Sequence, residues 1–189
     1  MTQNPGKFRE AHSILSRYEI NVRQLNRAKV EIQDKKLENV ASFALRTALR
    51  DEKRLIAIED SGLFIRSLDG FPGPFSSYAL NTIGLDGVLD LLRNRRERGA
   101  YFQCSLAAGS VSVRPRVFTG IVNGRISKRA LGGNGFGFDP IFIPDGSVET
   151  FGQLDDSFKN KHSHRAKAFA RFARWHMSQL VWDSRIALK

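Results

Sequence analysis

Cysteine is nearly absent. Cys104 is the single one in 189 residues, so no disulfide can form within the chain and the fold must rest on its apolar core. This usage fits a reducing compartment, and a cytoplasmic location is expected. Long apolar runs are missing as well. None approaches the ~20 residues of a membrane-spanning helix, and the opening MTQNPGKFRE carries no apolar stretch of a secretory leader; no membrane partner is expected. There is no internal repeat, no low-complexity tract and no G-x-x-x-x-G-K-[ST] phosphate loop. Acidic residues are scarce: 19 Asp+Glu face 30 Lys+Arg, a formal charge of +11. That excess suggests a polyanionic partner without separating nucleic acid from nucleotide. What is present is 41% apolar and 26% charged, the composition of a folded domain. The length suits one domain over 1–189, large enough to fold without a metal or disulfide staple.

Helices and strands are mixed along the chain. A Pro5-Gly6 turn runs into a helix over 8–17, and residues 19–32 read as extended. Apolar residues at Leu37, Val40, Ala41, Ala44, Leu45, Ala48 and Leu49 follow helical spacing and predict a helix over 37–50. Leu55 to Ile58 reads as a short buried strand that ends at Glu59. A Gly/Pro loop at 69–74 precedes a helix over 85–96, with Arg93, Arg95 and Arg96 near its negative end. Tyr101–Ala108 and Val111–Val122 read as a hairpin turning at Gly109. A glycine-rich loop covers 131–140, and a last helix covers 164–180 with Ala166, Phe169, Ala170, Ala173, Met177 and Leu180 on one stripe. This pattern predicts an α/β fold with a mixed, twisted sheet flanked by helices.

Four polar segments interrupt the scaffold, each with a plainer alternative. Thr2-Gln3-Asn4-Pro5-Gly6-Lys7 opens a helix, where free N–H groups, the dipole and a lysine make an anion site; it also reads as an ordinary turn. Glu59-Asp60-Ser61-Gly62 supplies adjacent carboxylates able to hold Mg²⁺ or orient a water, with Glu31 and Glu38 as candidates to complete the set; alone, such a pair is usually a polar turn. In Gly135-Phe136-Gly137-Phe138-Asp139-Pro140 the glycines leave a ring open to a planar ligand and Asp139 offers an acceptor, although at least one ring belongs in the core. Lys159-Asn160-Lys161-His162-Ser163-His164-Arg165 puts cations at a helix start, where the dipole disfavours them, so an anion or carbonyl ligand is expected; the alternative is a solvated patch. No nucleophile constellation emerges, and Cys104 reads as a buried small hydrophobe.

Taken in order, these segments resemble the inosine triphosphate pyrophosphatase (ITPase) family. The T-x-N-x-x-K opening stands as Thr2, Asn4 and Lys7, and the acidic segment as Glu31-Ile32-Gln33. The E-D-[ST]-G motif stands as Glu59 to Gly62, followed by a proline-glycine loop at Gly70 to Gly73. The F-G-x-D-P motif stands at Phe136 to Pro140, and K-N…S-H-R at Lys159, Asn160, Ser163, His164 and Arg165. The resemblance runs from Thr2 to about Trp175. It implies an ITPase-like fold of two lobes around a central cleft, a homodimer, and Mg²⁺-dependent hydrolysis of deaminated purine nucleoside triphosphates (ITP, dITP, XTP) to monophosphate and pyrophosphate. It further implies that Lys7 and the 2–7 loop grip the triphosphate, Glu31 and Asp60 hold the metal, Asp60 orients water, and Ser61 contacts substrate. Phe136 would stack on the purine while Asp139, Lys159, His164 and Arg165 surround its edge. Donors at the 6-carbonyl would leave adenine unpaired.

The resemblance is incomplete at two phosphate positions, where this chain offers Arg46 and Ser77-Tyr78. A strand is also expected ahead of Thr2, since phosphate loops hang from strand ends; the sequence suggests that it is missing, which would leave the 2–7 loop prone to fraying. Two rival readings remain: a basic nucleic-acid-binding protein, opposed by the repulsion of Glu31, Glu59 and Asp60 for a phosphate backbone, and a catalytically inactive relative, opposed by the presence of Glu31 and Asp60.

Overall fold

The computed structural model describes residues 1–49 and 53–186, with the side chains of 180–186 left out. Its elements are α1 (Pro5–Ser16), α2 (Leu37–Ala48), β1 (Ile56–Ile65), β2 (Pro72–Gly73), α3 (Ser76–Thr82), α4 (Gly84–Leu91), β3 (Gly99–Gly109), β4 (Arg116–Ile126), β5 (Phe142–Pro144), α5 (Asp156–His162) and α6 (His164–Ile186). The strands form one sheet in the order β2-β1-β3-β4-β5. The α/β class is borne out. Among the described residues every ladder is antiparallel, so the mixture is of helices with strands rather than of strand directions.

The apolar spacing of α2 acts as expected. Leu37, Val40, Ala41, Ala44 and Leu45 are buried, and the inner part of this stripe packs on Ile56, Ile58 and Ala107 of the sheet. Burying one such leucine is worth about 1.5–3 kcal/mol. The helix closes at Ala48 with Leu49 as its cap, and residue 50 lies outside the described residues. α1 begins at Pro5, whose missing N–H costs nothing in a first turn. In α6, Ala166, Phe169 and Ala173 are buried as the stripe required, while Met177 is exposed; the side chain of Leu180 lies outside the described residues. α1 and α6 meet on the sheet face opposite α2, around Leu15, Cys104, Leu106 and Phe172.

Four expectations are corrected. The first strand does not stop at Ile58. It pairs residue for residue with β3 from Ile56↔Gly109 to Ile65↔Ala100, so Glu59-Asp60-Ser61-Gly62 lies in the middle of β1 rather than beyond its end. Gly62 is required there: a Cβ would stand 2.1 Å from the Gly73 carbonyl of β2. In the hairpin, Val111 and Val113 fall in the turn. Pro115 has no N–H to give a ladder and restrains Arg114 before it, and β4 starts only at Arg116. α4 ends at Leu91, so the three arginines lie past it, and Arg95 donates instead to the Ser67 carbonyl at 2.6 Å. Residues 20–34 join no strand ladder; Ile20 and Val22 pack beside α1 while Val30 is 55% exposed.

β1 and β3 serve two cores. At one end Leu63, Ile65 and Phe102 join Val88, Leu92, Phe138, Phe142 and Phe151; at the other lie the α1/α6 and α2 clusters. The polar stretch of β1 crosses the gap between these two lobes. At the start of the chain the Met1 ammonium donates to the Ala57 carbonyl of β1 at 2.5 Å. The 2–7 loop, expected to fray, is held further by the bonds described next.

Candidate active site

Two cavities meet at Thr2 and Lys7. The larger, about 430 Å³, is walled mainly by apolar residues of α1, α6 and the start of β1. The smaller, about 320 Å³, is lined by Thr2, Asn4, Lys7, Glu31, Asp60, Ser61, Phe136, Asp139, Lys159, His164 and Arg165, while Glu59 lines the larger. The smaller is therefore the candidate site, although its residues come from segments as far apart as Thr2 and Arg165.

One end of the cleft is built by α1. Asn4 caps the helix, its side chain accepting from the Lys7 N–H at 3.1 Å, and Thr2 Oγ1 accepts from the Asn4 N–H at 3.1 Å. These bonds set the turn that carries Lys7, and the helix dipole adds positive potential there. Lys7 Nζ lies 2.7 Å from Glu59 Oε1. Strand alternation sends Glu59 and Asp60 to opposite faces. Glu59 shares its face with Leu106 and Ser61 with Cys104, whereas Asp60 sits opposite Ser105.

Glu59 is 6% exposed and ringed by donors: Lys7, Arg165 Nε at 3.4 Å, and the Cys104 thiol at 3.4 Å. Burial raises its pKa, but Lys7 and Arg165 outweigh burial and hold it well below the usual range. Burial, with Glu59 beside it, pushes the Cys104 thiol well up, so it is a neutral donor. Asp60 differs. Burial dominates over the attraction of Lys29 and Lys7, and its pKa is pushed up to about 6. Of the adjacent pair, Asp60 is therefore the more basic carboxylate and the better suited to accept a proton.

Lys29, which sequence reasoning passed over, contacts the Glu31 carboxylate and lies 3.7 Å from Asp60 Oδ1. It also reaches the Glu59 carbonyl at 3.4 Å. Burial would lower its pKa, but Asp60 and Glu31 overcome that and raise it. Arg27 lines the same wall. These two residues supply cationic charge that the sequence offered only through Arg46, which is exposed on α2. Ser77 does line the cavity, while Tyr78 is 71% exposed. Glu38 is removed from the acidic set: it accepts from Gln103 and Thr119 instead.

The opposite end is deeply buried. Lys159 is 2% exposed and bridges Glu10 and Asp139, at 2.6 Å each. Arg165, also 2% exposed, pairs with Glu10 and donates to Ser61 Oγ at 3.0 Å. Both cations lie against the Phe136 ring, at 4.4 and 5.5 Å from its centroid. Asp139 Oδ2 also accepts from the Phe136 N–H at 2.6 Å, so it holds the ring and Lys159 rather than standing free as an acceptor for a base. His164 stacks on Phe102 at 4.7 Å, is driven neutral by burial, and leaves Nδ1 without a partner at the cavity wall. Phe138 is core, as one ring had to be. Gly120 lets α6 approach this closely, since a Cβ there would stand 2.1 Å from the His164 carbonyl. Asn160 and His162 turn away, to Ser13 and Phe158.

The donor set fits a hard divalent cation. Glu31, Asp60 and the Glu59 carbonyl already gather around one ammonium group, and carboxylate and carbonyl oxygens are the ligands Mg²⁺ prefers. Among the described residues no group of three His, Cys, Asp or Glu side chains is spaced to hold a metal. The remaining positions would fall to water and substrate phosphate, as is usual for Mg²⁺.

A buried, charge-lined cleft with a helix N-terminus at one end and an aromatic ring flanked by cations at the other defines a binding site for an anionic ring-bearing ligand, in the manner of a nucleotide. The sequence places it further. The Ham1 family model matches residues 1–175, and the chain belongs to that family. It is 42% identical over 180 residues to the dITP/XTP pyrophosphatase of Methanopyrus kandleri, covering 95% of this chain and 96% of the relative. It is 44% identical over 175 residues to that of Pyrococcus horikoshii, covering 93% and 94%. The Ham1 protein of Staphylococcus aureus superposes with a TM-score of 0.82 at 26% identity, covering 94% of this chain and 96% of that one. Among the described residues no helix is long and apolar enough to cross a membrane.

Proposed function

We infer that this chain is a pyrophosphatase that hydrolyses deaminated purine nucleoside triphosphates, with dITP, XTP and ITP as substrates, to the monophosphate and pyrophosphate. The observation that carries the reading is the cleft itself, in which a phosphate-gripping helix start and a closed, cation-flanked ring face each other across an acidic pair. Lys7 and the N-terminus of α1 bind the triphosphate. Asp60 accepts a proton from water as its oxygen attacks the α-phosphorus; the bond to the bridging oxygen breaks and pyrophosphate leaves. Mg²⁺, held by Glu31 and Asp60, supplies charge neutralisation for the phosphates when bound.

Phe136 stacks on the purine. The neutral His164 offers a nitrogen to its edge, with Lys159 and Arg165 beside it. A 6-carbonyl accepts from the donors there, whereas a 6-amino group, itself a donor, leaves them unpaired, so adenine is rejected. Ser61 orients Arg165 and the nucleotide together. Burial of the acidic residues among cations, and the closed purine end, disfavour a nucleic-acid duplex as ligand. A homodimer is favoured by the apolar residues left exposed between β2 and α4, among them Phe71, Phe75, Tyr78 and Leu91. A cytoplasmic location follows from the substrate, which belongs to the nucleotide pool. Pyrophosphate release should be measured from XTP, dITP, ATP and GTP, with and without Mg²⁺. Fast release from XTP and dITP that requires the metal is expected; equal rates on ATP, or full activity in chelator, would refute the reading.

A further inference from the structure

Lys29 lies on a segment without regular structure, and its ammonium faces three oxygens of the cleft. It touches the Glu31 carboxylate, lies 3.7 Å from Asp60 Oδ1 and 3.4 Å from the Glu59 carbonyl oxygen. All three contacts are hard oxygens, two of them charged, and all would serve a divalent cation equally well. An ammonium and a metal ion at the same oxygens compete, since like charges a few ångströms apart repel at reduced dielectric.

The charges around the cleft make the same point. Five cations (Lys7, Arg27, Lys29, Lys159, Arg165) and three carboxylates (Glu31, Asp60, Asp139) line it, with Glu59 and Glu10 paired to Lys7, Lys159 and Arg165. Lys7, Lys159 and Arg165 are tied to Glu59, Glu10 and Asp139. Lys29 alone is tied to the Glu31–Asp60 pair.

We propose that Lys29 is an exchangeable internal counter-ion: in the free protein it neutralises Glu31 and Asp60 and competes with the divalent metal for them, and on metal entry it is released toward the phosphate wall shared with Lys7 and Arg27. The proposal rests on the assignment of Glu31 and Asp60 as the metal pair. Its consequence is order. Without a triphosphate the ammonium keeps the metal weakly bound. With one, the metal and Lys29 both find phosphate oxygens, so metal and nucleotide bind cooperatively.

The test is Mn²⁺ binding to the nucleotide-free protein, read as loss of the free-ion electron paramagnetic resonance signal. Lys29→Met and Lys29→Gln should each bind Mn²⁺ about three- to tenfold more tightly than wild type, the size of one partly screened ion pair. Glu31→Gln should weaken binding. Unchanged or weaker binding in both Lys29 variants overturns the counter-ion role while leaving the metal pair standing, provided Glu31→Gln is impaired. If Glu31→Gln and Asp60→Asn bind Mn²⁺ as wild type does, the metal pair is wrong and the counter-ion role falls with it.

Discussion

The two ends of the cleft hold their charges in different ways. At the purine end Lys159, Arg165, Glu10 and Asp139 are almost wholly buried and bonded to one another. At the proposed phosphate end Glu31 is 47% exposed, Lys29 is on an irregular segment, and Asp60 meets Lys29 at a loose 3.7 Å. A buried ion network is costly to rearrange, because breaking one pair strands the other charge. It suits a surface that reads one fixed shape. A partly exposed, loosely paired set exchanges partners more cheaply and suits a place where metal, water and phosphate must come and go. On the proposed assignment, recognition is prearranged and the chemistry falls to groups that can be re-paired.

Predictions follow from trying to break this division. The largest effect is expected at Asp60. Asp60→Asn should lower kcat about 10³-fold or more, because it removes the proton acceptor and one metal oxygen together; steady-state pyrophosphate release measures it.

Next is Glu10→Ala, which leaves Lys159 and Arg165 each one carboxylate short. It should destabilise the protein by about 3–5 kcal/mol, seen in denaturant midpoints. The pKa of Glu10 is depressed, since Lys159 and Arg165 outweigh its burial. Its contribution is thus present above the unfolded value and fades in acid, so the gap to wild type should narrow as pH falls through the carboxylate range.

The sign reverses for the stability of Asp60→Asn. Asp60 is raised from 3.8 to about 6, so the folded state binds its proton more tightly and wild type loses stability as pH rises between those values. Without metal the Asn variant should be more stable than wild type at pH 7 by up to about 3 kcal/mol, and equal to it near pH 4. A variant less stable at pH 7 would mean Asp60 is not strained by burial.

The smallest effect is expected from Phe136→Ala, which should weaken nucleotide binding by about 1–3 kcal/mol while leaving Mn²⁺ affinity unchanged. A change in metal binding would couple the two ends.

Much of the site was legible in the sequence because its motifs are short and local: Asn4 before Pro5, Phe136 between glycines, His164 and Arg165 at a helix start. Glu10 and Lys29 were not, because their roles come from partners far away in the chain. The signals available were slight: Glu10 stands one helical turn after Lys7, and Lys29 two residues before Glu31. The course of β1 was misjudged for a related reason. Glu-Asp-Ser-Gly has low strand propensity, and only the cations reaching it from α1, α6 and residue 29, with β3 pairing along its length, let it remain extended. The α2 helix was legible throughout because its burial pattern repeats within twelve residues.

Recognition and chemistry should be separable in this cleft. Calorimetry of dITP and dATP binding to Asp60→Asn in the presence of Mg²⁺ measures this. A variant that no longer turns over yet prefers dITP over dATP by the same factor as the wild-type enzyme shows in kcat/KM is expected. Loss of that preference with the loss of turnover would contradict it.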